Sequence, residues 1–329
     1  MRIKTPYLLF LGEGDQAKTS SGVAYWRPEI CAGQLRLPGC SVDLGLADIS
    51  IEEAASKGVK TLLIGVAPHG GKMPAHWVEV IRQAMLAGLD IAAGLHTRIA
   101  SIPEVRQLAD SLGRQVFDVR HPDREFAVGT GEPRSGKRLL TVGTDCEVGK
   151  MFTALALQRE MRQRGLQADF RATGQTGIFI AGTGVSVDAV VSDFVSGAAE
   201  FLSPAASDEH WDLVEGQGCL LHPAYAAVTL GLVHGSQPQA MVLCHVAGRE
   251  ALIGFPRYRI PSFARCIALY EEAASLTCPG ARCIGMSINT SRLDADAATR
   301  YLAEAEQETG LPCVDAVRTG VGRLVDILR

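Results

Sequence analysis

Apolar residues follow two rhythms along this chain. Short apolar runs, YLLFLG (7–12), TLLIGVA (61–67), DIAAGL (90–95) and QVFDVR (115–120), have the length of strands. Between the later runs, AHWVEVIRQAMLAG (75–88) and PEVRQLADSLG (103–113) space their apolar residues at i, i+3 and i+4 and stop at glycine, which predicts amphipathic helices. That alternation predicts an α/β fold, an open and mainly parallel sheet with helices on both faces, over residues 1–133.

The stretch HPDREFAVGTGEPRSGKR (121–138) loses the periodicity and is rich in Pro, Gly and charge, so it reads as a linker. A second β-α series fills residues 134–329: RLLTVG (138–143), the helical MFTALALQREMRQRG, then ADFRATG, WDLVEG (211–216), QAMVLCHVAG (239–248) and RCIGMSINT (282–290). HPAYAAVTLGLVHG (222–235) is apolar enough for an interior helix or a subunit contact, and a homo-oligomer is expected. No internal repeat or low-complexity tract interrupts the pattern.

With 329 residues, 47% of them apolar and 21% charged, the chain can fill two cores. Its formal charge of −4 and lack of a basic block argue against a nucleic-acid or membrane partner and favour a small molecule. The apolar run near the N-terminus is too short for a secretory segment, and no run reaches the ~18 residues of a membrane span. Nine scattered cysteines without CxxC pairs or zinc-spaced histidines point to reduced thiols, no metal centre and a cytoplasmic location. Only seven lysines stand against 25 arginines, and Lys150 is the last of them.

That lysine closes TVGTDCEVGKMF (141–152). A glycine loop between a strand and a helix offers N–H groups and a positive helix end to an anion, and a slender ammonium adds mobile charge. Five residues rather than four separate Gly143 from Gly149, and Met151 stands where a magnesium-binding hydroxyl is usual. The loop Gly143, Thr144, Asp145, Cys146, Glu147, Val148, Gly149, Lys150 and Met151 is the expected phosphate site.

GTDCEVGK resembles the variant loop of dethiobiotin synthetase among P-loop NTPases, and WDLVEGQG is similar to the strand of those enzymes that ends in Glu-Gly. More specifically, AKTSSGVAYWRPE (17–29), GQLRLPG (33–39), APHGG (67–71), TGQTG (173–177), VDAVVSDF (187–194), EGQGCLLHPAY (215–225) and FPRYRIP (255–261) resemble a bacterial family catalogued as a domain of unknown function. The resemblance spans nearly the whole chain and implies a Rossmann-like N-terminal half and a P-loop NTPase-like C-terminal half. Some members of that family are D-glutamate N-acetyltransferases, so the resemblance implies acetyl-CoA as co-substrate and D-glutamate as acceptor. Met151 favours coenzyme A over magnesium-ATP, because a diphosphate held by N–H groups and a lysine needs no metal.

Acetyl transfer to an amine requires a neutral amine, a stabilised carbonyl oxygen and alignment. Glu215 at a predicted strand end, His222 and Asp193 are the candidate proton acceptors, with Asp188 nearby, while Cys146 invites a nucleophile reading. His69, His96, His234 and His245 read as core or turn residues. For a dicarboxylate, Lys18, Ser20, Ser21, Arg27 and Arg36 in the first domain and Gln175 and Thr176 in the second are expected near the interdomain crevice. Asn289 resembles the nucleobase-reading asparagine of P-loop enzymes. Two alternatives stay open: a magnesium-ATP-dependent ligase or kinase using Asp145, Glu215 and Thr153, and a non-catalytic nucleotide or coenzyme sensor.

Overall fold

A computed structural model describes residues 3–15, 17–66, 73–122 and 124–328; the APHGG stretch with His69 lies outside them. The chain forms two compact units, one of Met1–Glu125 with Gly174–Ala189 and the other of Phe126–Thr173 with Val190–Arg329. A single crossing after residue 133 therefore does not describe the division. Residues 126–133 go with the second unit because the Glu200 carboxylate accepts the N–H groups of Thr130 (2.9 and 3.0 Å) and Gly131 (2.9 Å).

The first unit is built on β1 (Tyr7–Gly14), α1 (Lys18–Trp26), β2 (Cys31–Cys40), α2 (Ile51–Ser56), β3 (Thr61–Ile64), α3 (Trp77–Leu86), β4 (Asp90–Ala93), α4 (Pro103–Leu112) and β5 (Val116–Asp118). Its five strands are parallel, in the order β2-β1-β3-β4-β5. Leu8, Phe10, Leu62, Ile64, Ile81 and Ile91 are fully buried beneath Trp77, whose ring meets Phe10 edge-on at 5.0 Å. Gly12 makes that possible, since a Cβ there would lie 2.6 Å from the indole and its φ is +63°.

Two elements of this unit lie outside the apolar runs that the sequence pattern picks out. KTSSG opens α1, and CAGQLRLPGC forms an edge strand although Gly33, Pro38 and Gly39 break its apolar pattern. Edge strands tolerate proline and glycine because one side of the ladder is unpaired. The returning segment brings α6 (Gln175–Ala181), whose C-terminal carbonyls accept bonds from Tyr7 (hydroxyl to Phe179 O, 3.3 Å) and Arg27 (to Ile180 O, 2.9 Å).

The second unit holds β6 (Lys137–Gly143), α5 (Lys150–Gln163), β7 (Ala168–Arg171), α7 (Val195–Leu202), β8 (Trp211–Val214), α8 (Ala226–Ser236), β9 (Ala240–Val246), β10 (Ala251–Leu252), β11 (Phe255–Arg259), α9 (Phe263–Ser275), β12 (Arg282–Asn289), α10 (Ala295–Thr309), β13 (Cys313–Val314) and α11 (Gly322–Asp326). Six parallel strands run in the order β13-β12-β9-β6-β8-β7, and β10 with β11 makes a separate antiparallel hairpin. After β6 the chain goes outward to β7, returns to β8, then crosses to β9 on the other side of β6. The C-terminal end of β6 is thus the switch point at which open parallel sheets form a ligand crevice.

The apolar segment at 222–235 becomes α8, packed on α7 through glycine: a Cβ on Gly235 would lie 2.2 Å from Ser196 O. Among the described residues no helix is long and apolar enough to cross a membrane.

Candidate active site

Beyond β6 the backbone turns through Thr144–Gly149 into the 14-residue α5, with Glu147 (φ 53°) and Gly149 (φ 96°) in the left-handed region. Such turns aim successive N–H groups to one side, and the helix end adds its positive dipole. The Lys150 side chain, only 7% exposed, folds back so that Nζ donates to Asp145 O at 3.0 Å. Its stem passes Gly216, where a Cβ would lie 3.0 Å from Lys150 Cδ and 1.7 Å from Thr141 O. Glycine at 216 is therefore a requirement of the close approach of the β8 end to β6.

Further buried bonds hold the loop. The Tyr270 hydroxyl donates to Gly143 O (2.7 Å) and accepts from Leu220 N (2.9 Å), tying the loop to the turn before His222. Thr144 Oγ1 lies 2.8 Å from His245 Nδ1, whose Nε2 meets Tyr301 Oη at 3.1 Å. Burial, helped by the Arg249 charge, pushes the His245 pKa down to about 4, so this ring is neutral at pH 7.

Each residue that would serve magnesium in a conventional loop is already engaged. The Asp145 carboxylate is fully buried and accepts from Cys146 N (2.7 Å), Arg249 Nη1 (2.9 Å) and Ile253 N (2.8 Å). Thr153 donates its hydroxyl to Ser287 Oγ at 2.7 Å inside the core. Glu215, at the end of β8, accepts Thr173 N on Oε2 (2.9 Å), while its backbone carbonyl accepts the Thr173 hydroxyl (2.6 Å).

His222 is buried against Tyr225 (4.6 Å, stacked) and Phe255 (4.8 Å, edge-on). Ala224 N donates to its Nδ1 at 3.2 Å, so the neutral ring carries its proton on Nε2, a buried atom with no partner among the described residues. A carboxylate oxygen of Asp145, the thiol of Cys146 and a ring nitrogen of His222 lie within 4.8 Å of one another. Carboxylate, thiol and imidazole suit zinc, but Lys150 and Arg249 add positive charge here, and a metal-ligating Nε2 requires a ring that donates at Nδ1. The arrangement fits an anion better than a cation. Burial raises the Cys146 thiol to about 11, against the opposing pull of Lys150, so it is not a thiolate nucleophile at neutral pH.

The remaining expected residues separate. Asp193 is exposed in a short turn, with a long 3.5 Å bond from Ser192, and joins neither Glu215 nor His222. Asp188 belongs to the first unit, where it pairs with Arg120. The Asn289 side chain accepts from Ser291 N at 2.9 Å and closes a turn after β12.

In the first unit Lys18 is the exposed first residue of α1, and Thr19 Oγ1 lies 3.1 Å from Thr176 Oγ1, so KTSS and QT do meet. Gln175 packs where a Cβ on Gly94 would lie 2.8 Å away. Ser20 is buried against Gly65, Ser21 bonds back to Ala17 O at 3.0 Å, Arg27 pairs with Glu29, and Arg36 pairs with Asp48 on the exposed edge. These two arginines are not a carboxylate fork. Sequence reasoning missed Arg249, Tyr270, Thr173 and Thr19; only Arg249, in a Gly-Arg pair just past a predicted strand, carried a local signal.

Fold and loop together define a two-unit α/β protein whose second unit is of the P-loop type, with a glycine loop whose customary magnesium positions are engaged internally. The chain belongs to the DUF1611 family. Residues 36–122 match its Rossmann-like domain (DUF1611_N) and residues 125–325 its P-loop domain (DUF1611_C), both described as domains of unknown function. A D-glutamate N-acetyltransferase of Tritonibacter scottomollicae is 48% identical over 99% of both chains. Another, from a Pseudoalteromonas species, is 45% identical, again over 99% of each. The crystal structure of a DUF1611 family protein from Anabaena variabilis superposes with a TM-score of 0.87 at 34% identity and covers 98% of both chains.

Proposed function

We propose that this protein transfers the acetyl group of acetyl-CoA to the amine of D-glutamate, releasing free coenzyme A and N-acetyl-D-glutamate. Identity of 48% across 99% of a D-glutamate N-acetyltransferase carries the reaction. What supports coenzyme A as the donor is the loop itself: Met151 replaces the metal-binding hydroxyl, and Asp145 and Thr153 are bonded within the protein. A diphosphate asks only for N–H donors and positive charge, which Gly149, Lys150 and the start of α5 supply.

In this reading the loop N–H groups, Lys150 Nζ and His222 Nε2–H hold the diphosphate. The thioester lies at the far end of the pantetheine arm, so residues touching phosphate do not also touch the reacting carbonyl. Glu215 and His222 accordingly serve the phosphate end: His222 as a donor, Glu215 by clasping Thr173 at two points. The amine attacks the thioester carbonyl, a C–N bond forms, the C–S bond breaks, and the coenzyme leaves as a thiol. KTSS on α1 and Gln175–Thr176 on α6 are the proposed seat of the amino-acid carboxylates, because helix N-terminal N–H groups and Lys18 favour anions there.

Thiol release from acetyl-CoA by the purified protein tests this directly, with D-glutamate, L-glutamate or no amino acid, each with and without a chelator. Release that requires D-glutamate and ignores the chelator is expected. No thiol release with D-glutamate, or release that the chelator abolishes, would sink the proposal.

A further inference from the structure

Beside the phosphate loop, the β10–β11 hairpin carries an aromatic and basic surface that neither the fold nor the loop requires. Ile253 N donates to Asp145 Oδ2 at 2.8 Å, which fixes the hairpin turn onto the loop. From there rings run outward: Tyr225 stacks on His222 at 4.6 Å, Phe255 meets His222 at 4.8 Å, and Tyr258 meets Phe255 at 6.1 Å. The inner rings are covered, whereas Tyr225 and Tyr258 are 53% and 52% exposed. On β11, Arg257 lies in sequence between Phe255 and Tyr258, whose rings are in contact, and the β10–β11 register is irregular there. Phe255 anchors this strand against His222. Arg259 is paired with Glu250 and Arg249 with Asp145, while exposed Arg257 has no ion pair or hydrogen bond among the described residues.

We propose that this hairpin and the Tyr225 turn form the subsite for the 3′-phosphoadenosine end of the coenzyme, with Arg257 pairing with the 3′-phosphate and the exposed tyrosine faces stacking on the purine. The proposal rests on the reading that the loop holds the diphosphate of coenzyme A. The adenosine is joined directly to that diphosphate, so it must lie next to the loop, and the hairpin is what the protein places there. Half-exposed aromatic faces suit a purine, and a guanidinium suits a terminal phosphate. The 3′-phosphate also separates this coenzyme from ATP and other adenine nucleotides.

The test compares acetyl-CoA with acetyl-3′-dephospho-CoA as donors at saturating D-glutamate. Wild-type protein is expected to favour acetyl-CoA about tenfold in kcat/KM, through KM, as one charge-assisted contact provides. Arg257→Ala should bring that ratio close to one, and Arg257→Lys should restore part of it. Tyr258→Ala should raise KM for both donors alike. A wild-type ratio near one, or a ratio unchanged in Arg257→Ala, overturns the subsite while leaving the acetyltransferase intact. Turnover of neither donor overturns the acetyltransferase reading on which the subsite stands. Light scattering that shows a smaller assembly for the Arg257 and Tyr258 variants, with the ratio preserved, makes the hairpin a subunit contact and also overturns it.

Discussion

Lys150→Met keeps a stem of similar length and removes the ammonium. Lys150 is 7% exposed, and its ammonium has one hydrogen bond among the described residues, to Asp145 O at 3.0 Å. A buried charge held by a single carbonyl is a poor contributor to stability, and replacing it with an apolar side chain of like volume is commonly neutral or stabilising. When a diphosphate enters, the same ammonium gains a charged partner, a contact worth about 1.5–3 kcal/mol. Losing it should raise the Kd for coenzyme A roughly 10- to 150-fold. Titration calorimetry measures the affinity, and a thermal melt without ligand measures the stability, which should be unchanged or higher. An affinity within twofold of wild type would refute the cradle reading. A melt lowered by many degrees would refute the claim that the lysine is there for the ligand.

Glu215→Gln keeps an oxygen to accept Thr173 N, so activity should stay within a few-fold, whereas Glu215→Ala leaves that buried N–H without its acceptor and should lose about 1–3 kcal/mol of stability in a denaturant titration. If Gln instead costs about a hundredfold or more in kcat, Glu215 is a proton acceptor after all. Gly216→Ala puts a Cβ 1.7 Å from Thr141 O and should destabilise by several kcal/mol or yield unfolded protein, read by circular dichroism. For His245 the folded pKa of about 4 lies below the unfolded value of 6.5, so the unfolded chain binds the proton first on acidification. Its contribution is complete above pH 6.5 and is lost as pH falls toward 4, by about 3 kcal/mol, and His245→Gln should flatten that slope in urea melts.

Several of these residues were visible before the fold was. The strand runs, the helix α5 and the whole 143–151 loop follow from contiguous residues, because apolar periodicity and glycine chemistry act over a few positions. Glu215 past a strand end and His222 in its turn were also legible, although the proton position on His222 depends on the Ala224 N–H donating to its ring. Asp193, Arg27 and Arg36 had the right chemistry in the sequence and the wrong surroundings in the structure.

Two parallel α/β series, and a glycine loop with a methionine where magnesium chemistry needs oxygen, are thus written in contiguous residues. Long-range packing settled everything else. Strand order set β8 and β9 on either side of β6, and that brought His222 within 4.8 Å of Asp145 and Cys146 and placed Arg249 on the Asp145 carboxylate. It joined Thr153 to Ser287, 134 residues away, and returned Gly174–Ala189 to the first unit. A side chain's type is written locally, but whether its lone pairs and protons are free is settled by partners far along the chain, which only packing brings within hydrogen-bond reach.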